Sequence, residues 1–130
     1  MIAGINHVTL MIGDKQEAES FYCGKLGFEK VVREGRLWIR IGEQFIHLSE
    51  DVSVLHRNDF QHFAIEVEDL IPFLNKLIDG GVDVFDLNDQ MERVDVNTNL
   101  NRKQRMYFVR DPFGNLVEFI DKENEFFYTN

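Results

Sequence analysis

The chain has 130 residues, 44% hydrophobic and 28% charged, which is one domain's worth of sequence with enough apolar side chains to bury a core. Its 23 acidic and 14 basic residues leave a net charge of −9 with no long basic run, which repels nucleic acid and anionic membrane surfaces and leaves a small-molecule or protein partner as the expectation. No apolar run reaches the length of a membrane span, no basic signal-peptide start is present, and the single cysteine, Cys23, allows no internal disulfide, so a cytoplasmic setting is expected.

Residues 5–12 alternate, with Val8, Leu10 and Ile12 on one face and His7, Thr9 and Met11 on the other, and this predicts a strand. Asp14 caps a helix, and Glu17, three residues on, completes a capping box. Ala18, Phe21, Tyr22 and Leu26 form the apolar stripe of that helix and Gly27 ends it; Cys23 lies within it as a small apolar residue. Three short strands are expected at 28–33, 37–41 and 44–49, with turns at Glu34-Gly35 and Gly42-Glu43. Residues 1–50 thus form a βαβββ module, and 51–59 link it to a second at 60–121. There a strand over 60–67 leads to a helix capped by Asp69, carrying Leu70, Phe73, Leu74, Leu77 and Ile78 and stopped by Gly80-Gly81. Strands are expected at 82–86, 104–110 and 115–121, with a turn at Asp111-Pro112-Phe113-Gly114. The tail, 122–130, carries Phe126, Phe127 and Tyr128 and is expected to dock on a partner surface.

The modules repeat each other. Residues 5–14 align with 60–69 at an offset of 55, which superposes His7 on His62, and the last strands superpose His47 on Glu118. All four lie on the face opposite the aliphatic residues of their strands, and histidine with carboxylate gathered from separate strands is how a transition-metal site is built. His56, in the linker, has no counterpart in the repeat and is expected to be exposed. The copies are unequal in length: 20 residues separate Gly27 from His47, against 37 between Gly81 and Glu118. The excess falls in the polar stretch 87–103, a candidate lid or substrate-contacting loop.

The paired modules, Asn6-His7-Val8-Thr9-Leu10, Gln61-His62-Phe63-Ala64 and above all the run from Tyr107 through Asp111-Pro112-Phe113-Gly114-Asn115 to Glu118 resemble the vicinal oxygen chelate superfamily. Its members include glyoxalase I, fosfomycin-resistance enzymes, methylmalonyl-CoA epimerase, extradiol dioxygenases and bleomycin-binding proteins. The resemblance implies an α+β fold, a single glyoxalase-like domain whose two modules form an open, cup-shaped, eight-stranded barrel within a homodimer. It also implies one divalent transition metal (Ni, Co, Zn, Mn or Fe) held by His7, His62 and Glu118, with His47 at the place of a fourth ligand. Glu118 is then the candidate base for proton abstraction beside a carbonyl, and His47 is either a ligand or a base. Thr9, Trp38, Arg40, Glu66 and Arg105 are candidates to line the cup, with Arg40 and Arg105 as anion clamps.

The departures sort the members. Glyoxalase I usually has glutamate or glutamine where His47 stands; three neutral histidines and one carboxylate would leave a divalent ion with net charge +1, suited to an anionic or oxygen-rich substrate. His7, His62 and Glu118 alone would make the facial triad of non-haem iron, but Phe108 stands where the extradiol dioxygenases have a tyrosine, and residues 87–106 contain no histidine. The serine- and glycine-rich potassium segment of the fosfomycin enzymes is missing from 87–103, and four intact ligand candidates argue against the bleomycin-type binders. The expectation is a divalent-metal-dependent isomerase or lyase of glyoxalase type, acting on a small substrate with adjacent oxygens. The alternatives are a non-haem iron extradiol-type dioxygenase and a non-catalytic antibiotic-binding protein.

Overall fold

The computed structural model describes residues 1–51, 60–96 and 106–128. The chain divides into two compact units, Met1–Arg57 with Asp111–Asn115, and Asn58–Arg110 with Leu116–Asn130. Most of the linker, including His56, lies outside the described residues, as do 97–105 of the long polar stretch.

The first unit contains β1 (His7–Ile12), α1 (Lys15–Glu19), β2 (Glu29–Arg33), β3 (Arg36–Ile41) and β4 (Gln44–Glu50). They form a sheet in the order β1-β4-β3-β2, with β1 parallel to β4 and the remaining pairs antiparallel. Alternation sets the buried face: Leu37 pairs with Leu48 and Ile39 with Ile46, and all four are buried. The β2–β3 turn uses left-handed backbone at both Glu34 (φ 53°) and Gly35 (φ 74°), the twist that a two-residue hairpin requires. Asp14 is extended and its Oδ1 accepts the Glu17 N–H at 2.8 Å, as the capping pattern predicts.

The helix that follows is not uniform. After α1 the backbone widens into a π-helical segment, Ser20–Lys25, in which the Leu26 N–H donates to the Phe21 carbonyl at 2.9 Å. Ala18, Phe21, Tyr22 and Leu26 are nevertheless all buried, so the apolar stripe is kept while the hydrogen-bond ladder changes.

The second unit contains β5 (His62–Val67), α2 (Leu70–Asp79), β6 (Asp86–Leu87), β7 (Arg93–Val94), β8 (Met106–Arg110), β9 (Leu116–Asp121) and α3 (Glu125–Tyr128). Its main sheet runs β5-β9-β8, and β6 and β7 form a separate hairpin. The repeat is visible in register: Thr9 lies opposite His47, and Ala64 opposite Glu118, each across a parallel pair. Leu70, Leu74 and Leu77 form the buried stripe of α2. Its expected cap differs. Asp69 has extended backbone but its side chain makes no capping bond, and Asp121 at the end of β9, fully buried, accepts the Leu70 N–H instead at 3.2 Å.

The strand expected over 82–86 is reduced to β6, preceded by Phe85, which exchanges two backbone bonds with Phe108 at 3.0 and 2.9 Å. β7, in contrast, lies inside the polar stretch 87–103, where no strand is expected from the sequence, because two residues are too few to show a period. The described strands thus form sheets of four, three and two, an α+β arrangement with no closed barrel among the described residues. No described helix is long and apolar enough to cross a membrane. In the tail, Phe126, Phe127 and Tyr128 remain exposed in the single chain.

The turn Asp111–Asn115 joins two strands of the second unit yet belongs to the first. The Asp111 carboxylate, 5% exposed, accepts from the N–H groups of Phe113 (2.9 Å) and Asn115 (2.8 Å), from the Asn115 side chain (2.7 Å) and from the Tyr22 hydroxyl (2.8 Å). Asn115 Nδ2 also donates to the Met11 carbonyl at 3.0 Å, and Gly114 takes φ 91° to close the turn. Burial and the neighbouring Asp111 push the Tyr22 hydroxyl far above its ordinary value of 10.0. The folded chain therefore keeps a proton that the unfolded chain releases above pH 10, so stability falls as pH rises through that range. Tyr22→Phe is expected to cost roughly 1–3 kcal/mol at neutral pH. It is also expected to flatten the alkaline decline, measured as urea midpoints between pH 8 and 11.

Candidate metal centre

In the first unit the site grows from one aromatic residue. Trp38 on β3 lies opposite His47 on β4, with the two rings stacked at 4.2 Å and 11°. The His7 ring meets the same indole edge-on at 5.2 Å, so two imidazoles share one aromatic support. His7 Nδ1 is 2.9 Å from Asn6 Oδ1. An amide oxygen only accepts, so Nδ1 carries the proton and Nε2 keeps its lone pair. His47 is held below its ordinary range by burial, by Arg36 and by His7, which favours the neutral imidazole that a ligand must be.

The second unit repeats the construction with different chemistry. His62 opens β5, and its Nδ1 donates to the Phe60 carbonyl at 2.7 Å, which turns Nε2 toward Glu118. That Nε2 stands 3.4 Å from Glu118 Oε2. Phe108 on β8 lies opposite Glu118 and meets His62 edge-on at 5.7 Å, the counterpart of Trp38. All six residues of β9 are buried, Glu118 at 7% exposure. Burial pushes the Glu118 carboxyl above its ordinary range, and the charge and hydrogen bond of His62 offset part of that rise.

The ligand candidates thus come as two pairs, one in each unit, and no group of three or more His, Cys, Asp or Glu side chains suited to a metal ion occurs among the described residues. The His62–Glu118 pair fits a metal: two donors each about 2.1 Å from one ion at a tetrahedral angle stand roughly 3.4 Å apart. Each unit also has a recess. One of about 400 Å³ brings His47 together with Lys15, Arg36, Ser49 and Glu50. The other, about 280 Å³, sets Glu118 among Phe60, Leu87, Met91, Met106 and Phe108.

The remaining expected residues are more scattered. Thr9 is exposed opposite His47, Glu66 is exposed on β5, and neither lines these recesses. Arg40 is exposed and donates to the Gly42 carbonyl at 3.0 Å, while Arg36, not singled out from the sequence, lines the recess with His47. Both arginines share a strand face with Trp38, so alternation alone does not choose between them. Arg105 lies outside the described residues. Of the polar stretch, Leu87, Asn88 and Met91 line the recess beside Glu118.

Two β–helix–β units, each with a histidine opening its first strand and a ligand candidate on its last, define the repeat on which the chain is built. Residues 4–119 match the model of the Glyoxalase/Bleomycin resistance protein/Dioxygenase superfamily, and the chain belongs to that superfamily. Among solved structures it is similar to a glyoxalase family protein from Bacillus anthracis, with 26% identity, 93% of this chain and 96% of that chain covered, and a TM-score of 0.74. It is also similar to a fosfomycin resistance protein from Listeria monocytogenes in complex with Mn(II) and 1S,2S-dihydroxypropylphosphonic acid (18% identity, 92% and 90% covered, TM-score 0.67). An antibiotic binding protein from Streptomyces sp. CB03234 matches at 16% identity, with 92% of each chain covered and a TM-score of 0.70. At those identities the last two show a common fold.

Trp38 is the only tryptophan, so its fluorescence reports on the two histidines it touches. Titration with Co(II) or Ni(II) is expected to quench that emission to a stoichiometric end point. His47→Ala is expected to abolish the response.

Proposed function

We propose that this chain is a divalent-metal-dependent enzyme, an isomerase or lyase of glyoxalase type, acting on a small substrate with two neighbouring oxygens. The observation that carries the reading is the His62–Glu118 pair. It combines a ring nitrogen fixed by a backbone carbonyl with a buried carboxylate 3.4 Å away. In this reading His62, Glu118, His7 and His47 hold one ion, two residues from each unit, as in the cup that the resemblance implies. A bound divalent ion supplies Lewis acidity, polarising a carbonyl that meets it through adjacent oxygens.

The chain's own residues supply the rest. Glu118, released from the ion, would take the proton from the carbon beside that carbonyl and return it to a neighbouring atom of the substrate. Phe60 and Phe108, which line the recess with Glu118, keep water from competing. Asn6 and the Phe60 carbonyl orient the histidines so that Nε2 is the donor atom in both units. The Listeria protein's complex with Mn(II) and 1S,2S-dihydroxypropylphosphonic acid supports metal use within this fold.

A second reading, binding without catalysis, is favoured by the lack of a three-donor group within either unit among the described residues. Metal content separates the two. The native protein is expected to carry about one divalent ion per chain by elemental analysis, and His62→Ala to lose it. Asn6→Ala is expected to weaken metal affinity by roughly 10–100-fold while leaving the fold intact. Metal-free native protein that remains metal-free on reconstitution would retire the enzyme in favour of the binding protein.

A further inference from the structure

The recess of about 400 Å³ beside His47 gathers cations in a chain whose net charge is −9. Among the described residues its lining carries Arg36 and Lys15 against one carboxylate, Glu50. The strand register explains how Arg36 comes to be there. Trp38 pairs with His47 across β3 and β4; Arg36 stands two residues before Trp38, and Ser49 two residues after His47. Antiparallel alternation therefore puts Arg36 and Ser49 side by side on the face that carries His47, one step further along the sheet.

The bonds these groups already make show which of them can still receive a ligand. Lys15 Nζ donates to the Gly35 carbonyl at 2.7 Å, a neutral acceptor that leaves the charge of the ammonium in place. The Glu50 carboxylate accepts the Lys15 backbone N–H at 2.6 Å, which commits one of its oxygens to the start of α1. The Arg36 guanidinium, exposed at the recess, has neither a hydrogen bond nor an ion pair among the described residues. Arg40, on the same face beyond Trp38, instead spends its Nε on the Gly42 carbonyl at 3.0 Å. A planar fork of N–H donors beside a hydroxyl and an ammonium matches an oxyanion, two of whose oxygens can take parallel bonds from the fork. A cationic group would meet two like charges there, and an uncharged one would gain no charge-assisted bond.

We infer that the recess beside His47 is an oxyanion subsite, in which Arg36 receives a carboxylate or phosphate-type group of the substrate. Its place in a substrate rests on the metal chemistry proposed above; the subsite itself can be tested on the metal-free protein. Inorganic phosphate and acetate are titrated separately into ¹⁵N-labelled protein, with sodium chloride holding the ionic strength constant. At least one of them is expected to shift the Arg36 Nε–H and Ser49 amide signals along a saturable curve in the millimolar range, and the tighter of the two identifies the group. The Arg40 Nε–H signal is expected to stay in place. Arg36→Gln is expected to weaken the binding read at Ser49 about tenfold, Arg36→Lys to weaken it less, and Arg40→Gln to leave it unchanged. No saturable shift with either anion, an equal shift at Arg40, or unchanged affinity in Arg36→Gln would each overturn the inference. After metal loading, the monohydroxamate of succinic acid is expected to bind about tenfold more tightly than acetohydroxamic acid, and Arg36→Gln to erase the difference. Equal affinity of the two in the unaltered protein would remove the oxyanion group from the substrate. Failure of the protein to take up metal would overturn the proposed function alone and leave the anion titrations standing.

Discussion

The Asp111 carboxylate is the point on which the arrangement of the second ligand strand depends. It is nearly removed from solvent, and four donors converge on its two oxygens: two backbone N–H groups, one amide and one phenol. A buried carboxylate with fewer donors would be expensive, whereas one fully satisfied in this way fixes the geometry of each group that reaches it. Two of those donors come from Asn115, the residue before β9 begins. The phase of β9 is thereby set: Leu116 falls opposite His62 and Glu118 opposite Ala64. A slip of one residue would turn Glu118 to the other face of the sheet and dismantle the pair it forms with His62.

Above that constraint the units share a plan and differ in chemistry. Each has an aromatic residue on the strand just before its last, opposite the ligand candidate of that last strand and in contact with the histidine of the first. Trp38 does so for His47 and His7, and Phe108 for Glu118 and His62. Each opening histidine has its Nδ1 tied to an oxygen, by side chain in one unit and by backbone in the other. The duplication therefore preserves the presentation of Nε2 while allowing the last strand to carry a neutral ring in one copy and a carboxylate in the other.

Much of this was legible because it depends on period. Alternation located β1 to β5 and β9, and the 3.6-residue stripe located both long helical segments and their buried residues. What alternation cannot register was missed for that reason. The π-helical widening after Glu19 leaves the apolar residues where an α-helix would bury them, so it has no signature in composition. The capping of α2 by Asp121 is a contact across 51 residues of sequence, and the local rule pointed to Asp69 instead. β6 and β7, two residues each, are too short for alternation to be seen. The Asp-Pro-x-Gly-Asn run was read as a turn and a family mark, but its physical content, a carboxylate satisfied in part by Tyr22 from 89 residues away, is visible only in three dimensions.

The electrostatics of Glu118 follow from the same asymmetry. Its carboxylate lies on a strand buried on both faces, and the one ionisable partner in contact, His62, offsets only part of the desolvation, so the net shift remains upward. A histidine that donates its Nδ1 proton to a carbonyl and turns Nε2 toward a carboxylate needs a proton or another cation between the two, since two lone pairs facing each other gain little. A proton placed between them would serve, and so would a divalent cation, which adds more charge and satisfies both lone pairs at once. In the other unit, His47 is pushed toward the neutral form by burial and by Arg36, again exposing a lone pair rather than a charge. Each pair, His7 with His47 and His62 with Glu118, thus offers donors to a cation, in a protein whose net charge of −9 already favours cations at its surface. Selectivity among substrates then falls to whatever surrounds the donors, and around Glu118 that is a recess of mixed lining, Phe60, Phe108 and Met106 with Asp86 and Asn88, reached by the part of the second copy that the first does not have.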